Sequence, residues 1–243
     1  VIISYSHLEA MSSKVASFIF EYLMNRSELF THIAQSLSLI SKPHPIRVAV
    51  DGVDAAGKTI FADELAGYLK NLNRDVIQAS IDGFHRPRKE RYEQGADSPE
   101  GYYYNSFDYD AIQKSLLIPL GPDGDLEFIK AVFNYRTDTP VQESRQTAHR
   151  DSILLFDGVF LLRPELIQYW DYIIFIRVDF ETVLKRVLVR DQNLFGTAEV
   201  TKERYLKRYI PGQKMYLQGV NPESRADIVI INDDPVNPVL KMS

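Results

Sequence analysis

The sequence predicts a doubly wound α/β domain built on a mostly parallel sheet. Two observations carry that prediction: short apolar runs that are continuous rather than alternating, and segments of helical apolar spacing that separate them. A strand covered on both faces has no reason to alternate, and a helix between two such strands supplies the crossover that a parallel pair needs. The expected strands are Arg47 to Val50, Val76 to Ile81, Ile153 to Phe156, Tyr172 to Val178 and Ile228 to Ile231. The expected helices span about Thr59 to Leu72, Tyr109 to Leu117, Phe180 to Arg190 and Val200 to Tyr216. Sheets of this kind bind ligands beyond the carboxyl ends of their strands.

Ahead of the first strand, Val15, Phe18, Ile19, Tyr22 and Leu23 follow amphipathic-helix spacing, and Phe30, Ile33 and Leu37 predict a second helix. Lys42-Pro43-His44-Pro45 then breaks the pattern. The expected organisation is a helical extension over 1–45 and a main domain over 46–243. Two stretches interrupt the alternation and read as insertions over the active face: Gly83 to Phe107, rich in Arg, Gly and Tyr, and Pro119 to Thr139, with a strand expected over Phe128 to Tyr135.

At 243 residues, 45% hydrophobic and 25% charged, the chain has ordinary globular usage, which excludes a wholly disordered or fibrous protein. A net charge of −5 argues against a chain built chiefly to bind nucleic acid. With no cysteine there is no disulfide, thiolate nucleophile or Cys-ligated zinc, so the cytoplasm is the expected compartment. Val15 to Met24 is too short to span a bilayer and carries Glu21, so neither anchor nor signal peptide is expected. A first residue of Val1 points to a trimmed or processed start.

Gly52-Val53-Asp54-Ala55-Ala56-Gly57-Lys58-Thr59 fits G-x-x-x-x-G-K-[S/T], between an apolar strand and a helix with Phe61, Leu65 and Leu69 on one face. Glycines let successive backbone N–H groups converge on phosphate oxygens, and the helix N-terminus adds its positive end. Lys58 neutralises β/γ charge, and the Thr59 hydroxyl can ligate Mg²⁺. Asp157, where the run Ile153 to Phe156 stops, is the second candidate metal contact.

A phosphate loop alone serves switches, motors, transporters and kinases. No Asn-Lys-x-Asp string and no Leu-Ser-Gly-Gly signature occurs, which weakens the GTPase and transporter readings. A kinase needs a base and a lid. Asp82, following Val76 to Ile81, is placed to accept a hydroxyl proton during in-line attack, although a turn-shaping role fits the same position. The segment Lys185 to Arg208 is the lid candidate: Arg186 and Arg190, then Arg204 and Arg208, are each four apart, like charges that an anion such as ATP would relieve, with Gly196 between them. Arg86, Arg88, Lys89 and Arg91 read as meeting solvent or a substrate phosphate, and the aromatic cluster from Tyr92 to Tyr109 suits either stacking on a flat acceptor or packing of the insertion.

From about Ile46 to Ile231 the chain resembles the phosphoribulokinase and uridine kinase family of phosphate-loop kinases. The resemblance rests on the loop, Ser80-Ile81-Asp82-Gly83-Phe84-His85, Ser106-Phe107-Asp108-Tyr109-Asp110-Ala111, Asp157-Gly158, Arg186-x-x-x-Arg190-Asp191 and Arg225-Ala226-Asp227-Ile228-Val229-Ile230, in that order. It implies the P-loop NTP hydrolase fold with a helical lid over about 186–208, ATP and Mg²⁺ as cofactors, and Asp82 as base. It further implies Asp108 on ribose hydroxyls, Asp157 at a magnesium-linked position and Arg190 on ATP phosphates. His85 stands where uridine kinases carry a tyrosine, and Phe133-Asn134-Tyr135-Arg136-Thr137-Asp138 departs from their base-reading pattern. The acceptor expected is a small molecule, a nucleoside such as uridine or cytidine at its 5′-hydroxyl, between His85, Asp108, Phe133 and Arg136. Pantothenate or a sugar is the alternative, and a nucleotide-binding regulator without turnover a third. No nucleic acid or membrane partner is expected, and a homo-oligomer is left open.

Overall fold

The structure is a computed structural model that describes residues 21–22, 25–191 and 195–242. Strand β1 (Glu21–Tyr22) and helix α1 (Arg26–Leu39) precede β2 (Ile46–Gly52), α2 (Lys58–Asn71) and β3 (Val76–Ser80). The first insertion holds the short helices α3 (Arg88–Arg91) and α4 (Pro99–Asn105), and α5 (Tyr109–Ile112) follows it. The second region carries β4 (Glu127–Phe128), β5 (Phe133–Asn134) and β6 (Thr139–Pro140), with β7 (Gln146–Thr147) beyond it. Then follow β8 (Ile153–Gly158), β9 (Tyr172–Arg177), α6 (Phe180–Arg190), α7 (Ala198–Arg204), α8 (Ile210–Val220), β10 (Ile228–Ile231) and β11 (Val239–Met242).

The main sheet has seven strands in the order β1-β11-β10-β9-β2-β8-β3. The strands β10, β9, β2, β8 and β3 run parallel, and β11 and β1 close the edge antiparallel. Every residue of β2 and β8 is buried, in keeping with the apolar runs Val48 to Val50 and Ile153 to Phe156, which stop at Asp51 and Asp157. One core lies on each sheet face. The first packs α1, α2 and α6 against Val48, Val50, Leu155 and Ile174; the second packs α4, α5, α8 and the loop after β8 against Ala49, Phe156 and Phe175.

The predicted second helix is α1, opened by a capping box in which Asn25 and Glu28 bond each other's backbone N–H. Its buried face, Leu29, Phe30, Ile33, Ala34 and Leu37, sits on α2, with the Phe30 and Phe61 rings 4.7 Å apart. Residues 15–20 and Leu23 of the predicted first helix lie outside the described residues. Its end is corrected: Glu21 and Tyr22 pair with Lys241 and Leu240, adding a strand to an edge whose backbone groups would otherwise be unpaired.

Two further expectations change. The strand predicted over Phe128 to Tyr135 is split into β4 and β5, because the backbone between them bonds elsewhere. Ile129 N donates to Ser115, Val132 N to Gly83, and Lys130 and Ala131 N both donate to the Glu143 carboxylate. The helix predicted over Val200 to Tyr216 runs as α7 and α8 joined by a π-helical turn, Tyr205–Tyr209, just ahead of Pro211, whose ring nitrogen has no hydrogen to donate.

Candidate functional site

The carboxyl ends of β2, β8 and β3 open on a cleft of about 540 Å³. The loop after β2 forms its floor. Ala55 and Gly57 take positive φ of 56° and 91°, turning the chain so that α2 starts at Lys58. A side chain at Gly52 would come within 2.5 Å of the Ile176 carbonyl, so β9 approaches the loop at a distance only glycine allows.

Neighbouring elements hold that loop from outside. Arg186 of α6 donates to the Ala55 carbonyl (3.0 Å) and to those of Asn232 (2.6 Å) and Asp233 (3.1 Å), and Asn232 Nδ2 donates to the Ala56 carbonyl at 2.7 Å. Gln213 of α8 accepts from Asp54 N at 3.2 Å and donates to Asp54 Oδ2 at 2.8 Å, where the Tyr102 hydroxyl also donates at 3.1 Å. Burial pushes the Asp54 carboxyl up, opposed by the charges of Lys58 and Arg190.

Inside the loop, Lys58 Nζ donates to the Val53 carbonyl at 2.8 Å. The Thr59 hydroxyl donates to Asp157 Oδ2 at 2.8 Å, with Ser80 Oγ 3.4 Å from the same oxygen. Burial raises the Asp157 carboxyl, against the Thr59 hydrogen bond and the Lys58 charge. Among the described residues no three His, Cys, Asp or Glu side chains gather around one point. The pair instead offers only oxygen atoms, a donor set that fits a hard cation whose other ligands are phosphate oxygens and water.

Asp82 sits on the 3₁₀ turn Ile81–Phe84 after β3, its side chain 58% exposed to the cleft. Partial enclosure raises its carboxyl. The hydrogen bond and charge of His85, then the charges of Lys58 and Arg190, outweigh that and hold it below the ordinary carboxylate range. The His85 Nε2 atom lies 3.5 Å from Asp82 Oδ1, and its Nδ1 lies 3.2 Å from the Ser106 carbonyl. A side chain at Gly83 would meet Ala131 at 2.8 Å, so the glycine lets the second insertion close over this turn.

Of the sequence-predicted residues, Asp54, Ala55, Lys58, Thr59, Asp82, His85, Arg136, Asp157 and Arg190 line the cleft. Gly52, Val53, Ala56 and Gly57 build the loop beneath it. Three others lie off the cleft wall. Arg186 is spent on backbone carbonyls outside the cleft. Asp108 caps α5, its Oδ1 accepting from Ala111 N at 2.9 Å, and does not line the cleft. Phe133 is buried in β5 and does not line it either.

The lid region is also rearranged. Arg190 is gripped by Asp191 through two bonds of 2.6 and 2.8 Å, which raises its pKa further, and still faces the cleft. Arg208 is buried and donates to the carbonyls of Arg91, Gly95, Ala96 and Ser98, while Arg204 lies over the Tyr92 and Phe195 rings. Packing of the insertion therefore explains the basic pair and much of the aromatic cluster. Sequence reasoning missed Tyr135, Tyr205 and Tyr209 as cleft walls. It left Arg91 among four basic neighbours, where the single turn of α3 buries Arg91 and leaves Arg88, Lys89 and Glu90 exposed.

No family model matches the chain. The uridine kinase of Clostridium botulinum (strain Langeland) is 27% identical over 196 residues, covering 76% of this chain and 87% of that protein. The uridine kinase of Halalkalibacterium halodurans is 27% identical over 194 residues, covering 76% and 85%. The chain has the fold of the P-loop kinases and is similar to uridine kinases. Solved structures of low identity share the kinase's fold. A possible uridine kinase from Bacillus stearothermophilus superposes with a TM-score of 0.65 at 20% identity, covering 82% of this kinase and 96% of that chain. The D-glycerate 3-kinase from Cryptococcus neoformans gives 0.58 at 15%, covering 84% and 93%. Among the kinase's described residues no helix is long and apolar enough to cross a membrane.

Proposed function

We propose that the kinase transfers the γ-phosphoryl group of ATP to a hydroxyl of a small molecule, with Asp82 as general base. The observation that carries this reading is that Lys58 and Thr59 at the phosphate loop, Asp157 at the end of the adjoining strand β8 and Asp82 just past the end of β3, one strand further out, line one cleft. Lys58, released from the Val53 carbonyl, reaches the β- and γ-phosphates, and the N–H groups of the loop and of the α2 N-terminus hold their oxygens. Thr59 and Asp157 would hold Mg²⁺, which would supply charge screening of the phosphates. Asp82, ionised at neutral pH, takes the proton of the attacking hydroxyl, and Arg190 stands at the phosphate end of the cleft.

The names of the relatives favour uridine as acceptor, and the 5′-hydroxyl and cytidine follow from the sequence resemblance alone. A specific observation favours a more compact acceptor, a sugar, pantothenate or a small hydroxy acid: Asp108 and Phe133 lie off the cleft, leaving only His85 and Arg136 of the nucleoside set within it. ADP release should be measured with ATP and Mg²⁺ alone, then with uridine, cytidine, pantothenate, fructose and glycerate in turn. Acceptor-dependent release is expected. Tight ATP binding with no release for any acceptor would leave a nucleotide-binding regulator instead.

A further inference from the structure

The acceptor end of the cleft holds two guanidinium groups, one of them sharing a single carboxylate oxygen with a backbone N–H and the other with no carboxylate partner among the described residues. Arg91 is only 8% exposed, an expensive placement for a guanidinium unless it is partnered. Its Nε donates to the Arg86 carbonyl at 2.8 Å and its Nη2 to Asp138 Oδ1 at 3.2 Å, yet that carboxylate oxygen also accepts from Arg88 N at 2.7 Å. Arg136, on the turn between β5 and β6, lies over the Tyr135 ring, its Nε 3.4 Å from the Tyr135 hydroxyl, and pairs with no carboxylate among the described residues.

The carboxylates of the cleft are committed elsewhere. Asp157 takes Thr59, Asp191 takes Arg190, Asp54 takes Tyr102 and Gln213, and Asp82 takes His85. Nor do the aromatic walls part around a slot for a flat base. His85 is flanked by the Phe107 and Tyr135 rings at 4.5 and 4.7 Å, and the Tyr102 ring sits edge-on to Phe160 and Tyr209 at 5.1 and 4.9 Å. Rings at these separations are already in contact with one another. What remains for a ligand is a compact polar corner with guanidinium forks at its rim, the geometry that suits a carboxylate or a phosphate.

We propose that the acceptor is a small alcohol bearing an anionic group, a carboxylate or a phosphate, held by Arg91 and Arg136 while its hydroxyl faces Asp82. This rests on the kinase reading above. In the transfer the hydroxyl oxygen bonds the γ-phosphorus, the bond from that phosphorus to the β–γ bridging oxygen breaks, ADP leaves, and the hydroxyl proton passes to the Asp82 carboxylate. Arg91 and Arg136 fix the other end of the molecule, so the interaction appears chiefly in acceptor binding.

Matched pairs test it: glycerol against glycerate, and ribose against ribose 5-phosphate, with uridine as the neutral nucleoside. Affinity is measured by calorimetry on the full chain with a non-hydrolysable ATP analogue and Mg²⁺, so the result does not depend on turnover, and ADP release is measured separately with ATP. At least one anionic member binds more tightly than its neutral partner by about ten- to a hundredfold, the pair that responds telling carboxylate from phosphate. Arg136→Ala, at an exposed site, removes that preference and leaves ATP affinity unchanged; Arg91→Lys keeps the charge, loses the fork and weakens it. Preference without ADP release would overturn the kinase reading and leave the anion site standing. Equal affinity within both pairs, or uridine binding most tightly with no response to Arg136→Ala, would overturn the anion site.

Discussion

Asp82 and Lys58 are the two side chains whose loss should separate chemistry from nucleotide binding. Asp82→Asn keeps the size of the side chain and removes its basicity, so ADP release should fall by about a hundredfold or more while ATP affinity, followed by calorimetry, stays put. Lys58→Ala removes the cation aimed at the β- and γ-phosphates, and both affinity and turnover should drop. A third carboxylate acts on stability. Asp51 is fully buried beneath the loop, bonded by the Tyr216 hydroxyl and Leu161 N, and burial raises its pKa from 3.8 to about 6. Between those two values the unfolded chain gives up this proton while the folded chain keeps it. Asp51 therefore lowers stability as pH rises from about 4 to 6, by about 3 kcal/mol in all, with no further change above. In Asp51→Asn that component of the slope should vanish, which urea unfolding across pH 4 to 8 would measure. At this scale the motif residues were legible because their chemistry is written in their spacing. Asp108 and Arg186 were not: an aspartate that caps a helix and an arginine that binds carbonyls look, in sequence, like ligand-binding groups.

Among the elements, α1 has most to say about where the folded unit begins. Its apolar face is continuous with the core over the sheet, so Phe30→Ala should cost about 3–5 kcal/mol, as truncation of a buried aromatic does, and should shift the single unfolding transition of the whole chain. A chain starting at residue 40 should expose α2 and lose solubility or cooperativity, seen by calorimetry. The parallel strands were legible because burial on both faces favours continuous apolar runs such as Ile153 to Phe156, Ile173 to Ile176 and Ile228 to Ile231. The π-helical turns at Gln113–Leu117 and Tyr205–Tyr209 were not, since a one-residue shift in hydrogen bonding keeps the apolar spacing nearly intact. The split of the second insertion into hairpins was hidden for a related reason: its backbone partners, Ser115, Gly83 and Glu143, come from other segments.

For the whole molecule, the loop, lid and insertions meet around one cleft, so nucleotide should stabilise all of them together. With ATP and Mg²⁺ at about a hundred times Kd the folded state gains about 2.7 kcal/mol. Thermal unfolding should rise accordingly, and chelation of the metal should reverse most of the rise in wild type and change little in Lys58→Ala. The clamp made by Arg186 sets how such a signal travels. Its guanidinium rivets the middle of α6 to the phosphate loop and to the end of β10, and the same helix carries Arg190 one turn further on. The helix thus ties the floor of the cleft to Arg190 at its rim, so that a displacement of the loop and one of Arg190 should be coupled, and Arg186→Ala should uncouple them.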